Sequence, residues 1–426
     1  MITADLVLAG PDLAPVERAA VLVDADRIAW VGRSADLAPD RYPADTPVLA
    51  LGPVTVLPGL IDCHVHLAFD GGPAPVARMR AEDDARQVAL MTRNARRLLS
   101  VGVTTARDLG GSGYLGVSVR DAIADGTLRG PRLLTAGPPL TVTGGHCWFM
   151  GAEADGEQEV RRMVRRHHKH GVDLIKIMST GGFMTEGSAP WFAQFEPAEV
   201  RAAVEEAHRV GKRVAAHVHG VVGIERALDA GVDTLEHCTF VQADGSHRIV
   251  PELADRVAAS AAYVSPTWNL LLPLFQEWLP ERDYVLEPLY RRGARIVAST
   301  DAGIDNVPHH GFVRSLQAMA SSGLPTAEVL TAATTRAAEA LGLATVTGAL
   351  TAGLSADLIA VGGDPRHDLA VLHDLRLVLA RGEPFSPDLS PDPLPPIPPL
   401  RREDLPGFAF TAPGADAPPP PEAQTA

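Results

Sequence analysis

Short apolar runs stopped by aspartate and glycine open the chain. Residues 21–23 and 28–32 are two such runs, and runs of this length bounded by turn formers read as strands. Residues 19–31 are therefore expected to form a hairpin with Asp24-Ala25-Asp26 at its turn. From residue 56 the texture changes, and apolar strand-like runs alternate with stretches of helical spacing. Strand candidates are 54–61 (continuing into Asp62-Cys63-His64-Val65-His66), 103–106, 132–135, 172–178, 213–218, 232–235, 262–265 and 295–299. Helical stretches at 85–99, 197–210 and 223–230 fall between them. Strands alternating with helices imply parallel pairing, and eight such units imply a closed barrel. After residue 340 strand-and-turn texture returns at 348–350, 356–361 and 375–380.

The expected fold is α/β: a (β/α)8 TIM-like barrel over 56–344. A small β-sandwich is expected from both chain ends, 1–55 plus 345–385. Residues 386–426 form a tail rich in Pro, Ala and Asp, with Pro418 to Pro421 in a row, and such composition is not expected to pack into a fold.

Composition narrows the function classes. The 426 residues carry 38 Lys and Arg against 52 Asp and Glu, a formal charge of −14. That balance argues against a nucleic-acid partner, and the basic run 161–169 reads as the solvated face of a helix. Three cysteines in a chain this long make no disulfide framework, which fits a reducing compartment. The first residues show no basic segment leading into an apolar one, so no signal peptide is expected. No run reaches the ~18 apolar residues a membrane helix needs. A cytoplasmic protein without membrane partners is the expectation.

The candidate chemistry begins with His64-Val65-His66 at the end of an apolar strand. Side chains two apart on a strand share a face, so two imidazoles at this spacing can grip one metal. Lys176, His217, His237 and Asp301 stand at the expected C-terminal ends of later strands. In a barrel those ends converge on the face where active sites lie. Taken singly, Lys176 would be a buried charge, His217 and His237 core histidines, and Asp301 a helix N-cap. Taken together they make a metal site.

These residues also carry a family resemblance. Pro58-Gly59-Leu60-Ile61-Asp62-Cys63-His64-Val65-His66, Ser299-Thr300-Asp301-Ala302-Gly303 and Ala352-Gly353-Leu354-Ser355-Ala356-Asp357-Leu358-Ile359 resemble three motifs of the amidohydrolase superfamily. The resemblance covers nearly everything except the tail. It implies His64 and His66 on a more buried metal and His217 and His237 on a more exposed one. Lys176 would be carboxylated by CO2 and bridge both. Asp301 would bind the first metal and handle the proton. The cofactors implied are two divalent ions, of which zinc suits imidazole and carboxylate donors. A metal-bridging hydroxide would then be the nucleophile. Cys63 and Cys238, by strand alternation, are expected to face away from the barrel centre.

Within the superfamily, Lys176 argues for a two-metal hydrolase. Relatives that deaminate bases or open imidazolone rings generally lack that lysine. The strand ending His217-Val218-His219-Gly220 lacks the His-x-x-Glu pattern of many deaminases. Thr143-Gly144-Gly145-His146 resembles a loop of binuclear Xaa-Pro dipeptidases and fungal ochratoxin-type amidases. That likeness implies His146 and His219 as substrate contacts. Trp148 is expected to make the pocket more apolar, and Trp191, Phe192 and Phe195 to form a lid or to pack their loop. The glycines Gly181-Gly182 would let backbone approach the metals closely.

The expected activity is hydrolysis of an amide or peptide bond in a small N-acyl amino acid or dipeptide. The alternatives are an imidazolonepropionase-like ring opener or deaminase, and a non-enzymatic superfamily member. The partner is a small molecule, and the resemblance implies a homo-oligomer.

Overall fold

The apolar run 54–66 is not one strand but divides at Gly59. A Cβ there would stand 2.0 Å from Thr104 Oγ1, so glycine is what lets the chain step from one sheet into the next. The computed structural model describes residues 1–272 and 285–387. All of the proline-rich tail 386–426 except its first two residues lies outside the described residues.

The chain opens with β1 (Ile2–Ala9), β2 (Ala14–Asp24), β3 (Arg27–Arg33), β4 (Leu49–Ala50) and β5 (Thr55–Pro58). Seven parallel strands follow: β6 (Leu60–Val65), β7 (Val103–Asp108), β8 (Arg132–Thr135), β9 (Leu174–Met178), β10 (Arg213–Gly220), β11 (Thr234–Val241) and β12 (Tyr263–Ser265). The chain ends in β13 (Leu358–Val361), β14 (Leu375–Ala380) and β15 (Glu383–Pro384).

Both ends build one mixed sheet, ordered β15-β14-β13-β5-β1-β2-β3 with β4 on β1. The expected hairpin is present: β2 and β3 pair antiparallel with Asp24 opposite Arg27. Residues 348–350 contribute only a bridge, Leu350 to Gly10. Arg27 bridges Ser355, and Ile28 N–H donates to Leu354 O at 2.9 Å. The sheet therefore curls back on itself around Val7, Val21, Ile28, Val56 and Leu358.

The barrel closes as a (β/α)8 type, with two irregular seams. At one, Leu140 N–H donates to Lys176 O and Met178 N–H to Leu140 O, both at 2.8 Å. At the other, the expected strand 295–299 makes no continuous ladder. It touches its neighbours at Val264–Ile296 and Val65–Ala302, and Cys63 N–H donates to Ala298 O at 3.0 Å. The segment leaves extended geometry at Asp301, whose φ is 61°.

Helices cover the barrel by burying one stripe each. Helix Asp84–Ser100 buries Leu90, Met91, Asn94, Ala95 and Leu98, and starts where Asp83 accepts the Arg86 N–H at 2.9 Å. The basic helix Gly156–Lys169 buries Val160, Val164 and His167 and turns Arg161 and Arg165 toward Glu205 and Glu206. That is the solvated face expected of it. Among the described residues no helix is long and apolar enough to cross a membrane.

Candidate active site

Strand β6 delivers the first two imidazoles. The Nε2 atoms of His64 and His66 stand 3.2 Å apart. Each ring is oriented through its other nitrogen. His64 Nδ1 meets Glu236 Oε2 at 2.9 Å, and His66 Nδ1 meets Gly110 O at 3.0 Å. Burial would raise Glu236, but Arg107 and His64 hold it well below the usual carboxylate range, so it only accepts. A carbonyl also only accepts, so both Nδ1 atoms carry the proton and both Nε2 atoms present bare lone pairs. Asp301 Oδ1 lies 3.2 Å from one and 3.1 Å from the other. Burial would raise this carboxyl too, yet positive charge on the His64 and His66 rings would hold it well below its ordinary value. Three converging acceptors demand a cation between them. The demand shows in His66, which burial lowers but Asp301 raises further, to a net value above the ordinary one.

Lys176 from β9 is fully buried, and its Nζ has no hydrogen-bond partner among the described residues. Burial pushes its pKa down to about 8 against the pull of Glu236 and Asp301. His217 from β10 places Nε2 3.0 Å from Gly181 O, which leaves Nδ1 bare. His237 from β11 places Nδ1 2.9 Å from Thr267 Oγ1, whose own hydrogen goes to Pro266 O at 2.8 Å. The threonine can therefore only accept, and His237 Nε2 is bare. Two groups bring ligand atoms within 4.8 Å of one another: His217, His219 and His237, and His64, His237 and Asp301. His237 belongs to both, so the two groups adjoin.

His146 packs its ring 4.8 Å from that of His217, and its backbone N–H donates to Gln194 Oε1 at 2.6 Å. A Cβ at Gly182 would stand 2.4 Å from His146 Nε2, so glycine lets the backbone pass close to the His146 ring. His219 stacks on His237 with centroids 4.4 Å apart and places Nδ1 2.9 Å from Thr239 Oγ1. Burial takes His146 down to about 3 and His219 well below its ordinary value, so both rings are neutral. His64, His66, Lys176, His217, His237, Asp301, His146 and His219 all line one cavity of about 450 Å³.

The supporting groups were missed in the sequence. Arg107 Nη2 donates to Glu236 Oε1 at 2.7 Å, Nη1 to Thr234 Oγ1 at 3.0 Å, and Nε to Cys63 O at 2.6 Å. Asp62 receives Thr300 Oγ1–H at 2.6 Å and the His64 and Thr300 N–H groups at 3.2 Å. It ties β6 to the Asp301 segment, and its burial pushes it up to about 7. Strict alternation would turn Glu236 away from His237, but His237 has φ 68°, which brings both toward the site. Left-handed φ also occurs at Cys147, Thr267 and Asp301, each costing roughly 1–3 kcal/mol that the surroundings must hold in place.

One pocket expectation is corrected and one open choice is decided. Trp148 does not line the cavity; it is 39% exposed, with Arg80 5.6 Å from its ring, because left-handed Cys147 turns the following 3-10 turn outward. Of the two roles open to Trp191, Phe192 and Phe195, a lid or packing of their loop, packing is the one that fits, since none of the three lines the cavity. Phe195 is buried in the core, Phe192 is exposed, and Phe183 and Met184 line the cavity instead. Cys63 and Cys238 are buried outside the cavity, as expected.

A closed α/β barrel that gathers imidazoles, a buried amine and a carboxylate at its strand ends defines a hydrolase architecture. The chain belongs to the amidohydrolase family, whose model matches residues 55–385. It is 32% identical over 414 residues to the ochratoxinase of Aspergillus niger, covering 89% of this chain and 84% of the relative. It is 28% identical over 392 residues to an imidazolonepropionase of Rhizorhabdus wittichii, covering 82% and 90%. Its structure is similar to that of a Xaa-Pro dipeptidase with methionine in the active site, at TM-score 0.79 and 28% identity, covering 90% of this chain and 98% of the other.

Proposed function

We propose that this protein hydrolyses the amide bond of a dipeptide or small N-acyl amino acid. Two divalent ions, with zinc as the expected metal, would be held by His64, His66, Lys176, His217, His237 and Asp301. One observation carries the reading. Asp301 Oδ1 and the bare Nε2 atoms of His64 and His66 converge within 3.2 Å, beside a buried Lys176 Nζ without a partner among the described residues. The ochratoxinase and Xaa-Pro dipeptidase likenesses support an amide as the substrate.

Lys176 fits carboxylation. Carbamate formation joins the neutral amine to CO2 and releases one proton, and an amine lowered to about 8 is partly neutral at physiological pH. The carbamate then replaces an unpartnered amine with oxygen donors. Divalent ions, when bound, supply Lewis acidity toward the carbonyl and acidify water. Asp301 accepts the proton of the attacking water and delivers it to the leaving nitrogen. His146 and His219, both neutral, donate to a substrate carboxylate or to the oxyanion. The three buried free cysteines fit a cytoplasmic setting.

The test is a screen of dipeptides and N-acyl amino acids with enzyme of measured metal content. Amino-acid release at two ions per chain is expected. Turnover confined to cyclic imidazolones or ring amines, at one ion per chain, would overturn the reading.

A further inference from the structure

Beyond the metal-facing groups, the cavity wall is mostly apolar, with Phe69, Phe183, Met184, Trp268, Leu271 and Ile304 lining it. Among the described residues one carboxylate interrupts that wall. Asp305 lines the cavity and is partly buried. Its side chain pairs with no cation among the described residues, and its hydrogen-bond neighbour is its own backbone N–H. The nearby charge that acts on it is another acid, Asp70, already held by Arg78 at 2.8 Å and by the Gly72 N–H at 3.0 Å. Burial, and then Asp70, raise the Asp305 pKa.

The loop does not need this side chain. Backbone bonds fix it: Gly303 N–H to Val307 O at 2.7 Å, Ile304 N–H to Asp301 O at 3.3 Å, Asn306 N–H to Gly72 O and Val307 N–H to Ile304 O, both at 3.0 Å. The Asp301–Ile304 turn also keeps Asp305 close to the reacting groups. Four residues span at most about 14 Å even when extended, and a turn shortens that. An unpaired carboxylate in a largely apolar wall, within small-molecule reach of the metal ligands, is best compensated by a cation that the ligand brings.

We propose that Asp305 receives a protonated amino group of the substrate. The enzyme then prefers dipeptides and other aminoacyl amides to N-acyl amino acids that lack the amine. The inference rests on the amide-hydrolase reading above and chooses between its two substrate classes.

L-phenylalanyl-L-alanine and 3-phenylpropanoyl-L-alanine differ only by an ammonium against a hydrogen. Measured on metal-loaded full-length protein at pH 7, kcat/KM is expected to favour the dipeptide by about tenfold or more, the scale of a well-placed charged contact. In Asp305→Asn that ratio should collapse toward one, with circular dichroism confirming the fold. A ratio that survives in Asp305→Asn, or wild type showing no preference, sinks the proposal. If wild type cleaves neither compound, the amide-hydrolase reading is what fails. Calorimetry with 2-phenylethylamine then decides Asp305 on its own: binding to wild type that is lost in Asp305→Asn supports it, and equal or absent binding overturns it.

Discussion

His64 Nδ1 lies 2.9 Å from Glu236 Oε2 across 172 residues of sequence, and both side chains are almost wholly out of solvent. The contact selects the His64 tautomer and aims Nε2 at Asp301. Glu236 can do this because Arg107 and Thr234 hold its other oxygen. A carboxylate behind a ligating imidazole raises ligand basicity and fixes the ring, and is worth about 10–100-fold in metal affinity.

Glu236→Gln is therefore expected to weaken metal binding by about 10–100-fold, read by titration against a chromophoric chelator. The same variant leaves the buried Arg107 charge without its partner. Breaking a buried pair costs up to about 3–5 kcal/mol, so the Tm should fall as well. Unchanged affinity would remove Glu236 from the site's support.

Lys176→Ala should lose more than a supporting residue does, since Lys176 would be a ligand itself. Metal content is expected to drop below two ions per chain and activity by at least about 100-fold. Wild type grown with carbon-13 bicarbonate should show a carbamate resonance that Lys176→Ala lacks. Full activity in the variant would dismiss the bridging role.

Asp301→Asn keeps the shape and removes the proton acceptor. General-base loss is expected to lower kcat by about 10²–10⁴-fold, with KM changing less. Steady-state kinetics on reconstituted enzyme, alongside circular dichroism, gives the answer. A variant that retains wild-type kcat leaves Asp301 no proton to move.

Glu206 offers a stability test away from the site. Arg209 and then Arg165 hydrogen-bond its carboxylate and hold its pKa at about 2, below the ordinary 4.5. A depressed carboxyl stabilises the fold above its unfolded pKa and loses that contribution as pH falls through the folded one. Both arginines are more than half exposed, so solvent screening limits the effect to about 1 kcal/mol. Urea melts of wild type and Glu206→Gln should differ by that amount at pH 7 and converge as pH falls from about 4.5 toward 2. A constant gap across that window would rule out the ion pair as its cause.

The barrel and its rim were legible because both follow from short-range rules. Alternating strand and helix texture dictates parallel pairing, and His64 with His66 announces a shared face two residues apart. Lys176 stood out because an amine inside an apolar strand needs a reason. The same local reasoning placed Trp148 in the pocket, where the structure does not put it, and left open whether the 191–195 aromatics cover the pocket or pack their loop. Left-handed backbone at Cys147 turns the Trp148 segment outward, and periodicity does not report a φ reversal. Strict alternation also hid Glu236, since the reversal at His237 turns both side chains toward the site.

By itself, the sequence determined the order of elements, the strands that end in candidate metal ligands, and the kind of donor each one brings. Tertiary structure alone decided which nitrogen of His64, His66, His217 and His237 is bare, that Arg107 and Glu236 stand behind His64, and that Asp305 faces the cavity with no cation among the described residues. Donor type is a property of a residue, whereas tautomer, orientation and charge balance depend on neighbours that only folding brings within hydrogen-bonding distance.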